Sequence, residues 1–381
     1  MAAALIWAVA LTLFVMCAPD VLVNAFEPRY ELAVTAGLVA MAWIIARGAE
    51  ATSRGRWLVA LSIVATAVAM TRTMYHPVWL ALVVGAFAWR WRHAVERRSI
   101  AVALAIPLVV VGGWMLKNEY LVGRFTLSTW TGMNLQRASI PVLSSADKQS
   151  MLASGELSPV AAVGAFASYD YYLPAVGPCV PRSESPVLAR VTRDGPFAIP
   201  NFNARCFLPV YDLARHDAEA AIRAHPEAYL NGRWWSSRRW FTLEESLAHS
   251  QSKPARILHQ GYRLAEVGLP GTLSMDGWSS PLLGPTSPIY HFSVLALVCT
   301  IAVVVAAAVA LRRRRSTFTD LDVFIGFLTV WTFALGVLFE LGEQPRFRSM
   351  IDPLVFAFGI VAVVRGVTAL RARSSATAAA S

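Results

Sequence analysis

Residues 291–315 read HFSVLALVCTIAVVVAAAVALRRRR. The first 21 positions hold no Asp, Glu, Lys or Arg, and the next four are all arginine. An α-helix rises about 1.5 Å per residue, so the apolar run spans roughly the 30 Å thickness of a hydrocarbon bilayer core. Arginines packed directly against one end mark the side that stays in the cytoplasm. One stretch therefore gives both a transmembrane helix and its direction.

The pattern repeats outward in both directions. Apolar runs occupy residues 2–17, 30–46, 57–71, 77–88, 100–115, 291–311, 321–341 and 350–364. Of the 381 residues, 56% are hydrophobic and only 15% charged, against about 25% charged in a soluble domain. That balance excludes a cytosolic enzyme, a disordered tail and a disulfide-stapled secreted module. The expected fold is an all-α polytopic membrane protein with about eight transmembrane helices and one large extracytoplasmic loop domain. Its parts are an N-terminal transmembrane region of about five spans (1–116), an extracytoplasmic loop domain with an interfacial helix (117–289), a C-terminal region of three spans (290–368) and a disordered Ala/Ser tail (369–381).

The net charge of +10 is not a nucleic-acid signal, because it is in the wrong place. Residues 118–289 carry 15 Lys/Arg and 14 Asp/Glu, so the excess flanks the apolar runs. Nucleic-acid binding would need a basic soluble face, and none is expected. Fourteen arginines fall in the short loops and tail on one side: Arg47, Arg54 and Arg56, Arg90, Arg92, Arg97 and Arg98, Arg312 to Arg315, and Arg365, Arg371 and Arg373. The opposite short loops carry four, Arg29, Arg72, Arg346 and Arg348. By the positive-inside rule both termini are cytoplasmic and residues 118–289 lie outside. Arg outnumbers Lys 31 to 3, the habit of a GC-rich bacterial genome, so a bacterial plasma membrane is the expected location. Residues 2–17 lack a basic n-region and read as a first span, not a signal peptide.

Two runs, 57–71 and 77–88, are too short to cross. The turn between them, Arg72-Thr73-Met74-Tyr75-His76, should lie beneath the outer membrane surface, where charge and irregular backbone occur when they line a cavity or are buried in protein. The alternative is local thinning of the bilayer with Arg72 snorkelling to the headgroups.

In the outer segment the first half shows few helical stretches. Residues 211–224 have a polar helical pattern, and Pro226 breaks or restarts it. From Glu227 to Phe241, residues Leu230, Trp234 and Phe241 share a helical face, with Tyr229 and Trp240 at its edge and Arg239 opposite. This fits a helix lying in the membrane interface, or a soluble-core helix, which periodicity alone does not separate. Residues 267–288 read as a Gly/Ser/Pro-rich connector. Cys179 and Cys206 share the outer, oxidising compartment and are expected to form a disulfide.

No Walker A loop, HExxH, GxSxG or CxxC occurs, and the seven histidines have no metal spacing, so neither a metal nor a cofactor is expected. The chemistry that remains is cationic, on three outer turns. Arg72 and His76 share one, Lys117 and Asn118 end the fifth span, and Glu340, Glu343, Arg346 and Arg348 form the last. Each alone reads as an interfacial anchor. Together they suggest a binding site for something anionic at the interface, and a lipid-linked phosphate fits.

The stretch Lys117-Asn118-Glu119-Tyr120-Leu121-Val122-Gly123-Arg124-Phe125, followed by Ser128, Gly132, Asn134 and Leu135, resembles one common just outside a span in GT-C membrane glycosyltransferases, the relatives of protein O-mannosyltransferases and lipid A aminoarabinose transferase. Thr71-Arg72, Pro19 with Phe26-Glu27, residues 221–226 before the Trp-rich helix, and Glu343-x-x-Arg346-Phe347-Arg348 before Asp352-Pro353 are similar to further elements of that family, in the same order. The resemblance implies transfer of a sugar from a polyprenyl-phosphate donor to an acceptor on the outer face. Arg72, His76, Lys117, Asn118, Arg346 and Arg348 would bind the donor, and membrane lipid would surround the chain. The family's acidic base lies on a long first outer loop, whereas residues 19–29 here offer only Asp20 and Glu27. The expectation is therefore a chain that begins about two spans late and lacks activity alone, with Asp20 and Glu27 as the available bases. An O-antigen ligase-like or polymerase-like enzyme, and a transporter or non-catalytic scaffold, are the alternatives.

Overall fold

The computed structural model describes residues 30–179, 186–193, 199–243, 253–271, 290–312 and 320–380. The expected span at 2–17 and the candidate bases Asp20 and Glu27 lie outside these residues. The first described helices are α1 (Tyr30–Glu50), α2 (Gly55–Thr71), α3 (Pro77–Arg90) and α4 (Arg97–Val122). The outer segment follows with α5 (Thr131–Ser139), α6 (Ser145–Ser154), α7 (Val160–Val163), α8 (Tyr169–Val176), α9 (Pro186–Ala189), α10 (Leu208–Ala224), α11 (Pro226–Trp240) and α12 (Lys253–Ala265). Two short strands come next, β1 (Gly268–Gly271) and β2 (Tyr290–Ser293), then α13 (Val294–Arg312), α14 (Asp320–Leu338), α15 (Gln344–Ser349) and α16 (Asp352–Ala380).

Helices α1, α4, α13, α14 and α16 are long and apolar enough to cross a membrane. Helices α2 and α3, of 17 and 14 residues, reach only about 25 and 21 Å at 1.5 Å per residue. The chain is thus a multi-pass, overwhelmingly helical membrane protein in contact with lipid. Much of α4 faces outward, with Leu108, Val109 and Leu116 more than 60% exposed, as an apolar helix does when its solvent is hydrocarbon.

Within the bundle, Val34, Leu38, Met41 and Ile45 of α1 pack on Leu58, Leu61, Ala65 and Val68 of α2. Spacings of three and four residues keep each set on one face. Small residues let the helices approach: a Cβ on Gly37 would lie 2.5 Å from Val68, and one on Gly359 of α16 would lie 2.5 Å from Cys299 of α13. Without a hydrophobic force between helices in lipid, such close packing holds them together. Helix α14 joins the two halves by running antiparallel to α3. Asp320 meets Arg90 and the Trp91 indole N–H, each at 2.9 Å, Phe324 meets Phe87, and the Trp331 indole N–H donates to the Met74 carbonyl at 3.0 Å.

The outer segment has its own core, formed by Met133, Val160, Tyr169, Tyr172, Phe207, Val210 and Tyr211. Several short helices (α5 to α8) fill the half where few were expected. Each is ten residues or fewer, too short for periodicity to register. Asp217, fully buried on α10, accepts from the Ser158 N–H at 2.8 Å and its hydroxyl at 2.7 Å. A disulfide joins Cys179 to Cys206, with Cα atoms 5.4 Å apart.

Two departures from expectation are local. Gly268–Gly271 and Tyr290–Ser293 pair as an antiparallel ribbon, so the expected connector begins as strand and the expected 291–311 span begins with three residues of its partner. The last helix continues to Ala380 through the Ala/Ser tail expected to be disordered, because alanine is the best helix former.

Candidate functional site

Helix α2 ends at Thr71 and α3 restarts at Pro77. Proline suits a first helical position because its missing N–H has no partner there, and His76 Nδ1 accepts from the Val78 N–H at 3.4 Å as a side-chain cap. The turn between them contacts α14 at Trp331, seven residues before that helix ends at Leu338, hence about 10 Å below its end. Helix α15 also turns back. Gly342, with φ of 98°, supplies the left-handed bend, Gln344 Oε1 accepts from the Gly342 N–H at 2.9 Å, and Phe347 packs beside Gly336 of α14. The Arg72 turn and α15 are thus both recessed beside the last turns of α14.

In that recess three arginines meet three glutamates. Glu31, in the first turn of α1, is fully buried, and its Oε1 accepts from Arg72 at 3.2 Å and from Arg346 at 2.6 Å. The Tyr30 hydroxyl accepts from the same two guanidinium groups, from Arg346 at 3.0 Å. Arg72 stacks between the Tyr30 and Phe347 rings, 4.7 and 4.5 Å from their centroids. Arg346 also reaches Glu343 at 3.0 Å. Arg137, from α5, bridges Glu340 at 3.0 Å and Glu343 at 3.1 Å. Burial and the neighbouring Arg346 lower the Arg72 guanidinium to about 10, so it stays charged at neutral pH. Burial pushes the Glu340 carboxyl up, against the pull of Arg137. Glu343 is half-buried, and Arg137 and Arg346 hold it below the usual carboxylate range.

Arg233 of α11 fixes the end of α14. The last carbonyls of a helix have no partner within it and carry the negative end of its dipole. Arg233 donates to the carbonyls of Val337 at 2.8 Å, Leu338 at 3.1 Å and Glu340 at 3.2 Å, and to that of Ala138 at 2.6 Å. It therefore binds α11, α14 and the end of α5 into one support for Glu340 and Arg137. Leu230 and Trp234 on the other face of α11 are 63% and 68% exposed, which leaves an apolar surface outward.

Of the residues that sequence picks out, Arg72 and Arg346 come together. His76 lies on the same turn but serves as the cap of α3. Lys117 and Asn118 make no hydrogen bond or ion pair with the cluster among the described residues: Lys117 Nζ rests 3.2 Å from the Trp114 ring centroid, and Asn118 donates to the Thr126 carbonyl at 2.7 Å. Helices α2 and α4 run parallel, with Ser62 bonded to the Ala103 carbonyl, so the register carries Lys117 beyond the level of Arg72. Arg348 turns the other way. It is buried, donates to Asp352 at 3.0 Å and to the Trp240 and Thr242 carbonyls at 2.9 and 3.1 Å, and packs the start of α16 against the end of α11. Sequence reasoning gave no role to Tyr30, Glu31 or Arg137. The one available signal was Glu31 itself, a carboxylate at the first turn of an apolar helix, where an ionisable group needs a partner. Among the described residues no group of three His, Cys, Asp or Glu could hold a metal ion. Compared with protein-family models, with curated proteins and with solved structures, the chain matches none.

Proposed function

We propose that this chain is a membrane glycosyltransferase of the GT-C type, or part of one, which takes a sugar from a polyprenyl-phosphate donor to an acceptor on the outer face of the membrane. The observation that carries the reading is the meeting of Arg72 and Arg346, from distant parts of the chain, on one carboxylate oxygen of Glu31. In such a transfer negative charge grows on the departing lipid phosphate. Two guanidinium groups held side by side by the fold would stabilise it. The exposed Leu230 and Trp234 of α11 support a helix lying in the headgroup layer beside the recess. A disulfide between Cys179 and Cys206 supports an extracytoplasmic outer segment, since disulfides persist in oxidising compartments. The reading places both termini in the cytoplasm of a bacterial cell.

Glu31, Glu340 and Glu343 are each engaged by arginine, so an acceptor hydroxyl would have to displace a guanidinium group to reach any of them. The reading therefore leaves the base to Asp20 or Glu27. It is tested by titrating farnesyl phosphate onto the full chain in phosphatidylcholine nanodiscs. Arg72→Ala and Arg346→Ala should each weaken binding by about 10- to 100-fold, the worth of one charged hydrogen bond. Equal binding by both variants and the wild type would return these arginines to the role of membrane anchors.

A further inference from the structure

The cluster that the proposed function assigns to a phosphate is already neutralised. Arg72, Arg137 and Arg346 face Glu31, Glu340 and Glu343, three charges against three. The oxygens that lie on Arg72 and Arg346 are arranged as an anion's would be. Glu31 Oε1 and the Tyr30 hydroxyl each accept from both guanidinium groups, much as two oxygens of one phosphate bridge a pair of arginines. The occupant is not bonded to its full capacity, because Glu31 Oε2 is buried with no hydrogen-bond partner among the described residues. The recess also has an open side. Glu31 is fully buried, while the Arg346 and Glu343 side chains are 27% and 31% exposed and Tyr30 is 42% exposed.

We infer that Glu31 is a built-in competitor for the anion site, and that a lipid phosphate enters past Tyr30 and takes over the hydrogen bonds that Arg72 and Arg346 give to Glu31. This rests on the lipid-phosphate reading above and adds what regulates that site. Two partly buried guanidinium groups side by side with no anion between them would repel each other, so an internal carboxylate keeps the recess folded until an external anion replaces it. Affinity is then set by a difference: the phosphate's bonds less those surrendered by Glu31.

The test compares the full-length wild type with Glu31→Gln in phosphatidylcholine nanodiscs titrated with farnesyl phosphate. The amide keeps the shape and removes the competing charge, so Glu31→Gln should bind about tenfold more tightly, one charge-assisted hydrogen bond's worth. Wild-type binding that Glu31→Gln leaves unchanged or weakens overturns the inference and leaves the proposed function standing. No binding by either protein overturns the phosphate reading itself. Should Glu31→Gln fail to fold, Glu343→Gln serves instead. It frees Arg346 of its second, partly exposed partner and should tighten binding about threefold, an exposed pair being worth less. No gain from Glu343→Gln would overturn the inference as well.

Discussion

Arg346 Nε donates to Glu31 Oε1 at 2.6 Å across 315 positions of sequence, tying the start of the first described helix to the turn before the last. Arg72 joins the same oxygen from the end of α2. Three elements far apart in sequence, α1, α2 and α15, are thus locked at one point, and that point holds the charge proposed to do the chemistry.

The brace behind it is Arg233, 5% exposed with four carbonyl partners and, among the described residues, no carboxylate within its hydrogen-bonding set. Arg233→Met should lower stability by about 3 kcal/mol, the scale of several buried charged hydrogen bonds less the cost of burying the charge. Thermal denaturation in detergent reads this. Arg233→Met should also weaken farnesyl phosphate binding, because the carbonyls it holds position Glu340 and, through it, Arg137.

Orientation is open to a direct check. With fourteen arginines on one side and four on the other, a reporter fused after Ser250 should be active only when exported. Cytoplasmic activity at that position would invert the topology and remove the site from the outer face.

The disulfide gives a second readout of the same segment. Cys179 and Cys206 are 27 positions apart, for which chain-entropy arguments give about 3 kcal/mol. Cys179→Ser should lower the unfolding temperature under non-reducing conditions, and wild type treated with reductant should match it. If alkylation without reductant labels both Cys179 and Cys206, the bond is absent.

Glu340 provides a pH dependence. Burial raises its carboxyl to about 7 in the folded protein, above the ordinary carboxylate range of the unfolded chain. The folded state then holds the proton more tightly, so this group's stabilising contribution is full below the unfolded value and is lost as pH rises through about 7. Glu343 is shifted the other way, so its contribution changes only below the usual carboxylate range. Between about pH 5 and 7 the wild type should therefore gain more thermal stability on acidification than Glu340→Gln does. Parallel curves for the two proteins would contradict the burial of an ionisable group there.

How much of this was legible depends on distance along the chain. Apolar runs report on themselves, so the helices from Tyr30 onward appear near their expected places. The shortness of residues 57–71 and 77–88 was legible too, and the Trp331–Met74 contact sets their turn about two helical turns before the end of α14. What a run of residues does not report is its partner. Arg346 and Arg348 are two apart, which on a helix sends them to different sides. Only contacts with Glu31 on one side and with Asp352 and Trp240 on the other separate a cluster arginine from a packing arginine. Glu31 itself lies 41 positions from Arg72, beyond any local pattern. The short helices α5 to α8 escaped for a related reason: their order comes from packing, of α5, α7 and α8 around Phe207 and Tyr211 and of α6 through Met151 onto Ile140, Leu143 and Ala221.

The central claim is that a lipid-linked phosphate sits between Arg72 and Arg346. The most direct measurement is photolabelling of the full chain in nanodiscs with a diazirine-bearing prenyl phosphate, followed by peptide mapping with and without excess unlabelled farnesyl phosphate. The expected result is competable label on residues 30–31, 72–76 and 343–349. Label spread over the outward faces of α4 and α13, unchanged by competitor, would mean that the probe meets this protein only as bulk lipid, and would contradict the account.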